Sequence, residues 1–235
     1  MTLTYHAEIL PDEHWWMQGR AHVLESLVSN RVPTGGVVLD AGAGNGFWAE
    51  RLKSHFDNVV LIEPDSKLRA AIADRTIPAQ VLSASLPGPL PLPDEGFRLI
   101  TCLDVLEHVP DDRATVGELY RLNEPNGRLL TAVPAHPKLW SSHDEAVGHQ
   151  RRYTKAALRE VTEGAGYSIE LLAPLNVWLY PVAWAFRKVD RVGDATPPAP
   201  INRVLTWLFS SEARLVARWP AFVKGLSWIC LARKT

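Results

Sequence analysis

The sequence predicts an α/β protein with a doubly wound, mainly parallel sheet of seven strands. Short apolar runs alternate with helical patterns, and this βαβ order is typical of parallel strands. A glycine loop follows the first apolar run directly, as in folds that bind a ligand beyond the carboxyl ends of their strands. The predicted strands cover residues 37–41, 58–63, 79–84, 97–102, 127–133, 167–173 and 226–233.

Length and composition favour one domain over residues 1–235, because 46% hydrophobic residues suffice for one large core. We expect a helix over 12–30 ahead of the sheet and a helical insertion at 176–222 between the last two strands. A net charge of −1 disfavours nucleic acid as a partner. No basic leader and no apolar run of about 18 residues is seen, so we expect a cytoplasmic protein.

The glycine loop indicates the type of cofactor. Gly42, Gly44 and Gly46 let the backbone approach a ligand closely. A dinucleotide fingerprint needs its third glycine at position 47, where this chain has Phe, so NAD is disfavoured. The loop contains no Lys or Arg for a phosphate, whereas Asp40 precedes it and suits a cationic ligand.

The second apolar strand ends in Glu63, followed by Pro64. An acid at this point of a doubly wound sheet accepts hydrogen bonds from ribose hydroxyls. Taken singly, Asp40 could be a turn residue and Glu63 a surface charge. The order of strand, glycine loop, helix, strand and acid favours the cofactor interpretation.

The stretch Asp40-x-Gly42-x-Gly44-x-Gly46 resembles motif I of the class I S-adenosylmethionine (SAM) methyltransferases. The resemblance implies SAM as the cofactor and a seventh strand inserted antiparallel between the fifth and sixth. In such a sheet one strand separates Cys102 from Cys230, which is beyond the reach of a disulfide.

The loop after the fourth strand, Asp104-Val-Leu-Glu-His108-Val, looks like motif IV of small-molecule methyltransferases. The resemblance places Leu103 and Asp104 in the SAM pocket. His108 is either a proton acceptor near the substrate or a loop histidine satisfied by backbone carbonyls. Related enzymes place an acid near the adenine amine after the third strand; this chain has Ser85 there, and we expect Ser85 or backbone groups to substitute.

The loop after the fifth strand is the densest polar and aromatic segment, and it resembles the LWS..D...GH.RRY pattern of a bacterial methyltransferase branch. Its position favours substrate contact and proton removal. We expect catalytic roles for His143, Asp144 and His149, and substrate contacts from Trp140, Arg152 and Tyr153.

Two alternatives apply to this loop. His143, Asp144 and His149 are also residue types that bind metals, but methyl transfer needs no metal and we expect none. Arg151 and Arg152 could instead pin the loop to helix ends, and Thr154 is interpreted as a helix N-cap.

Aromatic residues dominate both segments outside the sheet. Trp15 and Trp16 lie about 100° apart on the predicted helix, so that one could pack on the core while Trp16 covers the substrate; packing explains either ring equally well. The insertion interleaves aromatic and basic side chains, typical of an apolar pocket or a peripheral membrane contact, or else of a packed helical pair.

These patterns predict SAM-dependent methyl transfer to an oxygen of a small or lipid-linked metabolite. Two alternatives are a SAM-binding protein without transferase activity and an oxidoreductase that uses NAD or a nucleotide sugar. The early third glycine argues against the oxidoreductase, and the polar loop at 140–153 argues against a binding protein. The oligomeric state stays open.

Overall fold

The computed structural model describes residues 10–181, 197–218 and 223–235. In these ranges the strands are β1 Val37–Ala41, β2 Asn58–Ile62, β3 Ala79–Leu82, β4 Phe97–Leu103, β5 Asn123–Pro134, β6 Tyr167–Leu175 and β7 Ser227–Lys234. The α-helices are α1 Trp15–Arg31, α2 Phe47–Leu52, α3 Ser66–Ala73, α4 Asp112–Leu122, α5 Ser142–Ala146, α6 Lys155–Gly164 and α7 Ala199–Ser211.

The seven strands form one sheet in the order β3-β2-β1-β4-β5-β7-β6. The pairs from β3 to β5 are parallel, and β7 is antiparallel to both β5 and β6. The predicted fold class and the place of the seventh strand are therefore confirmed. Both cysteines are buried and free, with β5 between their strands, as predicted.

Apolar side chains fill both faces of the sheet, because neighbouring residues of a strand point to opposite faces. Val38 belongs to a cluster that includes buried residues of α1, α2 and α7. Leu39 belongs to a second cluster that includes buried residues of α4 and α6. Two buried faces explain why the strands read as nearly continuous apolar runs.

Helix α1 begins at Trp15, after His14, whose side chain accepts a hydrogen bond from the Trp16 amide at 3.2 Å. It packs against α7, where a Cβ added to Gly19 would lie 2.6 Å from Cβ of Phe209. The rings of Trp15 and Trp16 both contact Phe209, with centroids 6.3 and 5.4 Å away. Both rings therefore pack on α7, and a contact of Trp16 with the substrate stays a prediction.

The insertion between β6 and β7 is anchored by Glu212, which is fully buried. Its carboxylate accepts hydrogen bonds from the backbone amides of Asn176, Val177 and Trp178 at 2.7, 2.6 and 3.2 Å. This contact joins the end of β6 to the end of α7. Other residues of the predicted aromatic and basic cap lie outside the described residues, namely Trp184, Phe186, Arg187, Lys188 and Arg191.

The packing of α1 on α7 predicts opposite effects of one substitution at two helical glycines. Gly19→Ala forces a methyl group into Phe209 and should lower the free energy of unfolding by about 1–3 kcal/mol. Gly117→Ala in α4 meets no atom within 4 Å and should raise it by about 0.4–1 kcal/mol. Urea unfolding of the two variants checks this, and equal shifts would contradict the proposed contact.

Candidate functional site

The glycine loop lies between β1 and α2. Gly42, Gly44 and Gly46 have φ angles of 85°, 57° and 80°, in the left-handed region that favours glycine. A Cβ at Gly42 would lie 2.4 Å from Val105, so this turn also needs the close approach of the loop after β4. A Cβ at Gly44 would meet nothing within 4 Å, so the backbone there faces open space.

Glu63 ties this loop to the end of β2. The Gly44 amide donates to Oε2 at 2.8 Å and the Asp65 amide donates to Oε1 at 2.9 Å. Burial raises the pKa of Glu63, and these two hydrogen bonds oppose the shift. Each oxygen keeps a second lone pair, so the carboxylate can bind ligand hydroxyls while it holds the loop.

Asp40 is 2% exposed and accepts a hydrogen bond from the Thr101 hydroxyl at 2.6 Å. Burial raises the pKa of Asp40 to about 7; Glu63 adds to the shift, and Thr101 and Arg20 oppose it. A buried carboxylate near its pKa is stabilised by an added cation. The site is therefore chemically suited to a positively charged ligand.

Arg20 of α1 pairs with Asp104, the first residue after β4. The Arg20 Nη2 atom is buried and has no hydrogen-bond partner among the described residues. Arg20 and Leu103 line the same cavity, together with Met17 and Phe47. This arrangement leaves one guanidinium nitrogen able to donate to a carboxylate of a bound molecule.

Two predicted cofactor residues lie at the outer edge of this region. Ser85 is exposed, in the loop after β3, which ends at Leu82. Pro64 is also exposed, and its carbonyl accepts a hydrogen bond from Arg69 at 2.6 Å. Contacts of Ser85 and Pro64 with the cofactor stay predictions.

Next to Asp104, the loops after β4 and α5 bring acids and histidines together. Asp144 is fully buried, and its Oδ1 lies 2.7 Å from both Nδ1 of His149 and Nε of Arg152. Nε2 of His149 lies 3.9 Å from Oε1 of Glu107. The rings of His108 and His149 meet edge to face, with centroids 4.7 Å apart. We call Glu107, His108, Asp144 and His149 the acid–histidine cluster.

The electrostatics of this cluster follow from burial. Burial raises the pKa of Glu107 well above its usual range, and Asp104 adds to the shift. Burial also lowers the pKa of His108 to about 4, so His108 is neutral at pH 7. Burial acts to raise the pKa of Asp144, but the His149 hydrogen bond and the Arg152 guanidinium hold it well below its usual range.

The structure corrects several roles predicted for the loop after β5. Asp144 has no exposed surface and acts by orienting His149, so its predicted catalytic role becomes a positioning role. Tyr153 is 2% exposed, and its hydroxyl lies 2.7 Å from Asp112 and 3.1 Å from the Leu106 carbonyl. The substrate contact predicted for Tyr153 is therefore wrong, because its polar atom is used inside the core.

The remaining loop residues divide between surface and scaffold. His143 is exposed on α5 and is not part of the cluster, and Trp140 is 38% exposed. Arg152 donates to the Ala135 carbonyl at 3.2 Å as well as to Asp144, and Arg151 donates to the Pro110 carbonyl at 3.0 Å. Both arginines therefore pin the loop.

Thr154 is the N-cap of α6, and its hydroxyl accepts a hydrogen bond from the Ala157 amide at 3.1 Å. The interpretation of Thr154 as a helix cap is confirmed.

Comparison with known proteins decides the family. A family model described as a methyltransferase domain matches residues 16–172, more than half of the chain. The chain belongs to the class I SAM-dependent methyltransferases. A probable SAM-dependent methyltransferase of Mycolicibacterium smegmatis is 28% identical over 163 residues, 68% of this chain and 62% of that protein.

Further matches agree with this family. A ubiquinone biosynthesis O-methyltransferase of Pseudomonas aeruginosa is 28% identical over 160 residues, 57% of this chain and 66% of that protein. The matched chain thus spans a little under two thirds of the length of these curated relatives. The structure of a SAM-dependent methyltransferase of Thermotoga maritima, a possible histamine N-methyltransferase, shares the fold with a TM-score of 0.63. That structure is 18% identical, and the match covers 94% of this chain and 93% of that one.

The cofactor of this methyltransferase family is SAM, and the residues present fit it. The open backbone at Gly44 and the buried Asp40 suit the methionine part, which carries an ammonium and a sulfonium group. Arg20 has a buried nitrogen for its carboxylate, and Glu63 has lone pairs for the ribose hydroxyls.

Sequence reasoning missed two residues of this site. Arg20 stands four residues after Trp16 in the amino-terminal helix, and Glu107 stands directly before His108. The signal for Arg20 was a charged residue on the otherwise apolar side of a helix. The signal for Glu107 was an acid next to a candidate base. Membership of the methyltransferase branch indicated by the GH.RRY loop stays a prediction.

Asp40 predicts a pH dependence of cofactor binding. Its pKa is about 7 without ligand, and only the charged carboxylate attracts the cationic methionine part. Affinity for SAM should therefore rise between pH 6 and 8, by at most about tenfold per unit below the pKa. Asp40→Asn can still accept the Thr101 hydrogen bond but carries no charge, so its profile should be flat and its affinity lower.

Calorimetric titration with SAM and with S-adenosylhomocysteine tests this expectation. The dependence should be weaker for S-adenosylhomocysteine, which lacks the sulfonium charge. If the affinity of the wild type for SAM were as independent of pH as that of Asp40→Asn, the charge of Asp40 would not contribute to binding of the cofactor.

Proposed function

We propose that this protein transfers the methyl group of SAM to an oxygen atom of a small or lipid-linked metabolite. The observation that carries the proposal is the acid–histidine cluster beside Asp104. Asp104 follows β4, and His149 follows α5 in the connection after β5, so both belong to segments that leave the sheet edge where ligands bind. The side chains of this cluster could orient a hydroxyl group of the acceptor and remove its proton.

In this reaction the protein has to align the acceptor with the methyl group and to remove the proton of the acceptor. SAM supplies an activated methyl group, so alignment of the acceptor accounts for most of the rate. Asp144 holds Nδ1 of His149, and this directs Nε2 towards Glu107 and away from the scaffold. Removal of a proton from a hydroxyl by a positioned group contributes about 10²–10⁴-fold.

Two points support oxygen as the acceptor atom. A hydroxyl must lose its proton as it is methylated, and the cluster offers groups for this step, whereas a neutral amine needs no such help. The relative from Pseudomonas aeruginosa is named an O-methyltransferase of ubiquinone biosynthesis. From this relative we infer only that the acceptor atom is oxygen, and we infer nothing about the substrate.

Helix α7 supports a contact with a lipid surface. Ile201, Val204 and Trp207 are 53%, 62% and 70% exposed and are spaced three residues apart along one side of the helix. No helix within residues 10–181, 197–218 and 223–235 has both the length and the hydropathy of a membrane span. We propose that α7 lies on the inner face of a membrane, where the site can reach a lipid-linked acceptor.

The cluster predicts a kinetic effect of His149. Once a screen with labelled SAM has identified an acceptor, His149→Ala should lower kcat by about 10²–10⁴-fold. Binding of S-adenosylhomocysteine should be unchanged, because the cofactor residues lie on other loops. His22→Ala, which removes an exposed histidine of α1, is the matched control. Wild-type turnover in His149→Ala would show that approximation alone carries the step.

The exposed side of α7 predicts vesicle binding. Flotation with liposomes that contain anionic phospholipid should recover the wild-type protein, and Val204→Ser with Trp207→Ser should reduce recovery several-fold. Val81→Ser replaces another exposed apolar residue, on the edge strand β3, and should have no effect. Equal recovery of all three proteins, or none of the wild type, would overturn the membrane contact.

A further inference from the structure

Glu107 is a buried carboxyl group without a hydrogen-bond partner on any other described residue. It is 1% exposed, and within the described part of the chain neither Oε1 nor Oε2 has a hydrogen-bond partner. Buried polar atoms are nearly always bonded, so an unsatisfied pair of oxygens calls for an explanation, such as a bound ion. Asp144, equally buried, provides the contrast, because its oxygens accept from His149, Arg152 and Ser141.

Two histidines surround Glu107. One ligand atom each from Glu107, His108 and His149 can be chosen so that all three lie within 4.8 Å of one another. Ligands around a Zn²⁺ ion in tetrahedral coordination stand about 3–3.5 Å apart, given bonds of about 2 Å. Small side-chain rotations would therefore close the three atoms around an ion.

The surroundings of both histidines match those of metal ligands. A histidine that binds a metal usually donates its other ring nitrogen to a carboxylate or a backbone carbonyl. His149 uses Nδ1 for Asp144 at 2.7 Å, and the His108 ring is hydrogen-bonded to the Gly148 backbone. Gln150 then joins the two loops, since its amide donates to the Glu107 carbonyl at 2.8 Å and its side chain to the His108 carbonyl at 2.7 Å.

The charge near the cluster also favours a cation. Asp104, Glu107 and Asp144 contribute three carboxylates, and Arg20 and Arg152 contribute two guanidinium groups that act on the same site. A divalent ion at this position would favour the ionised form of Glu107 against the effect of burial, and it would also satisfy both oxygens of Glu107.

We propose that Glu107, His108 and His149 bind a divalent transition-metal ion of the Zn²⁺ type, oriented by Asp144. Two imidazoles and one carboxylate suit Zn²⁺, Co²⁺ or Fe²⁺ better than Mg²⁺, which prefers oxygen ligands. This set differs from the His143, Asp144 and His149 set considered from the sequence. His143 is exposed, and the oxygens of Asp144 are engaged by protein donors.

The consequence for catalysis rests on the proposed function. A hydroxyl coordinated to the ion has a lowered pKa and loses its proton to water. The oxygen then bonds to the methyl carbon as the carbon–sulfur bond breaks, and the electron pair stays on the sulfur of S-adenosylhomocysteine. His149 would act in this step as a ligand and not as the base. Loss of activity in a His149 variant therefore cannot by itself reveal the ion.

Metal titration distinguishes His149 as a metal ligand from His149 as a general base. Protein stripped with a chelator should bind one equivalent of Co²⁺ with visible absorption bands typical of a protein site, and Zn²⁺ should displace it. Mg²⁺ should neither bind tightly nor compete. His108→Ala, His149→Ala and Glu107→Gln should each weaken Co²⁺ binding at least tenfold, and Asp144→Asn should weaken it about 10–100-fold.

Controls make the result decisive. His22→Ala should bind Co²⁺ like the wild type, and each variant should bind S-adenosylhomocysteine normally, which shows that it is folded. Absence of stoichiometric Co²⁺ and Zn²⁺ binding by the wild type, or wild-type affinity in Glu107→Gln, would overturn the metal site. Methyl transfer that persists in metal-free protein would support the proposed function and show that the ion takes no part in it. Tight binding of Co²⁺ or Zn²⁺ without methyl transfer to any acceptor would support the metal site and contradict the proposed function.

Discussion

Parallel pairing of β1, β2, β4 and β5 is the constraint on which the whole candidate site depends. In this register Ala41 lies beside Ile62, Asp40 beside Thr101 and Leu103 beside Ala132. The carboxyl ends of these parallel strands lie at one edge of the sheet, so four connections leave the sheet there. The glycine loop, the acid after β2 and the loop of Glu107 and His108 are therefore neighbours, and the chain returns after α5 to bring His149 to them.

Burial of charge at that edge sets the chemistry of each acid. Asp40, Glu63, Glu107 and Asp144 are all 5% exposed or less, and each must be protonated, paired or bonded to be tolerated there. Glu63 and Asp144 are satisfied by backbone and side-chain donors, so they act first as supports. Asp40 has one hydroxyl partner and Glu107 has none among the described residues, so these two are the acids whose state a bound ligand or ion would change.

The amino-terminal helix links the insertion to the site. Gly19 admits Phe209 of α7 against the backbone of α1, and the next residue, Arg20, reaches Asp104. The contact with α7 and the ion pair with Asp104 thus come from adjacent residues of α1. Glu212 strengthens the link from the other end, because it ties α7 to the end of β6. These contacts connect α7, α1 and the end of β6 to the residues beside the cofactor pocket.

Much of the fold could be predicted from the chain alone. Strand positions, the glycine loop and the family follow from short-range patterns, since apolar runs, glycines and the acid after a strand are signals within a few residues of one another. The Thr154 cap was predictable for the same reason. β3 ends at Leu82, two residues before its predicted end, because strand ends depend on the neighbouring strand as well as on local sequence.

The roles within the polar loop were decided only by tertiary structure. His143 and His149 are equally plausible in sequence, but the chain turns after α5 so that His149 meets Glu107, 42 residues away, while His143 faces solvent. Tyr153 looks like a substrate residue until Asp112 and the Leu106 carbonyl engage its hydroxyl in the core. The sequence by itself determined the scaffold and the kind of cofactor, because both depend on local pattern. Which side chains meet at the site depends on burial and on contacts between distant segments, and only the folded chain contains them.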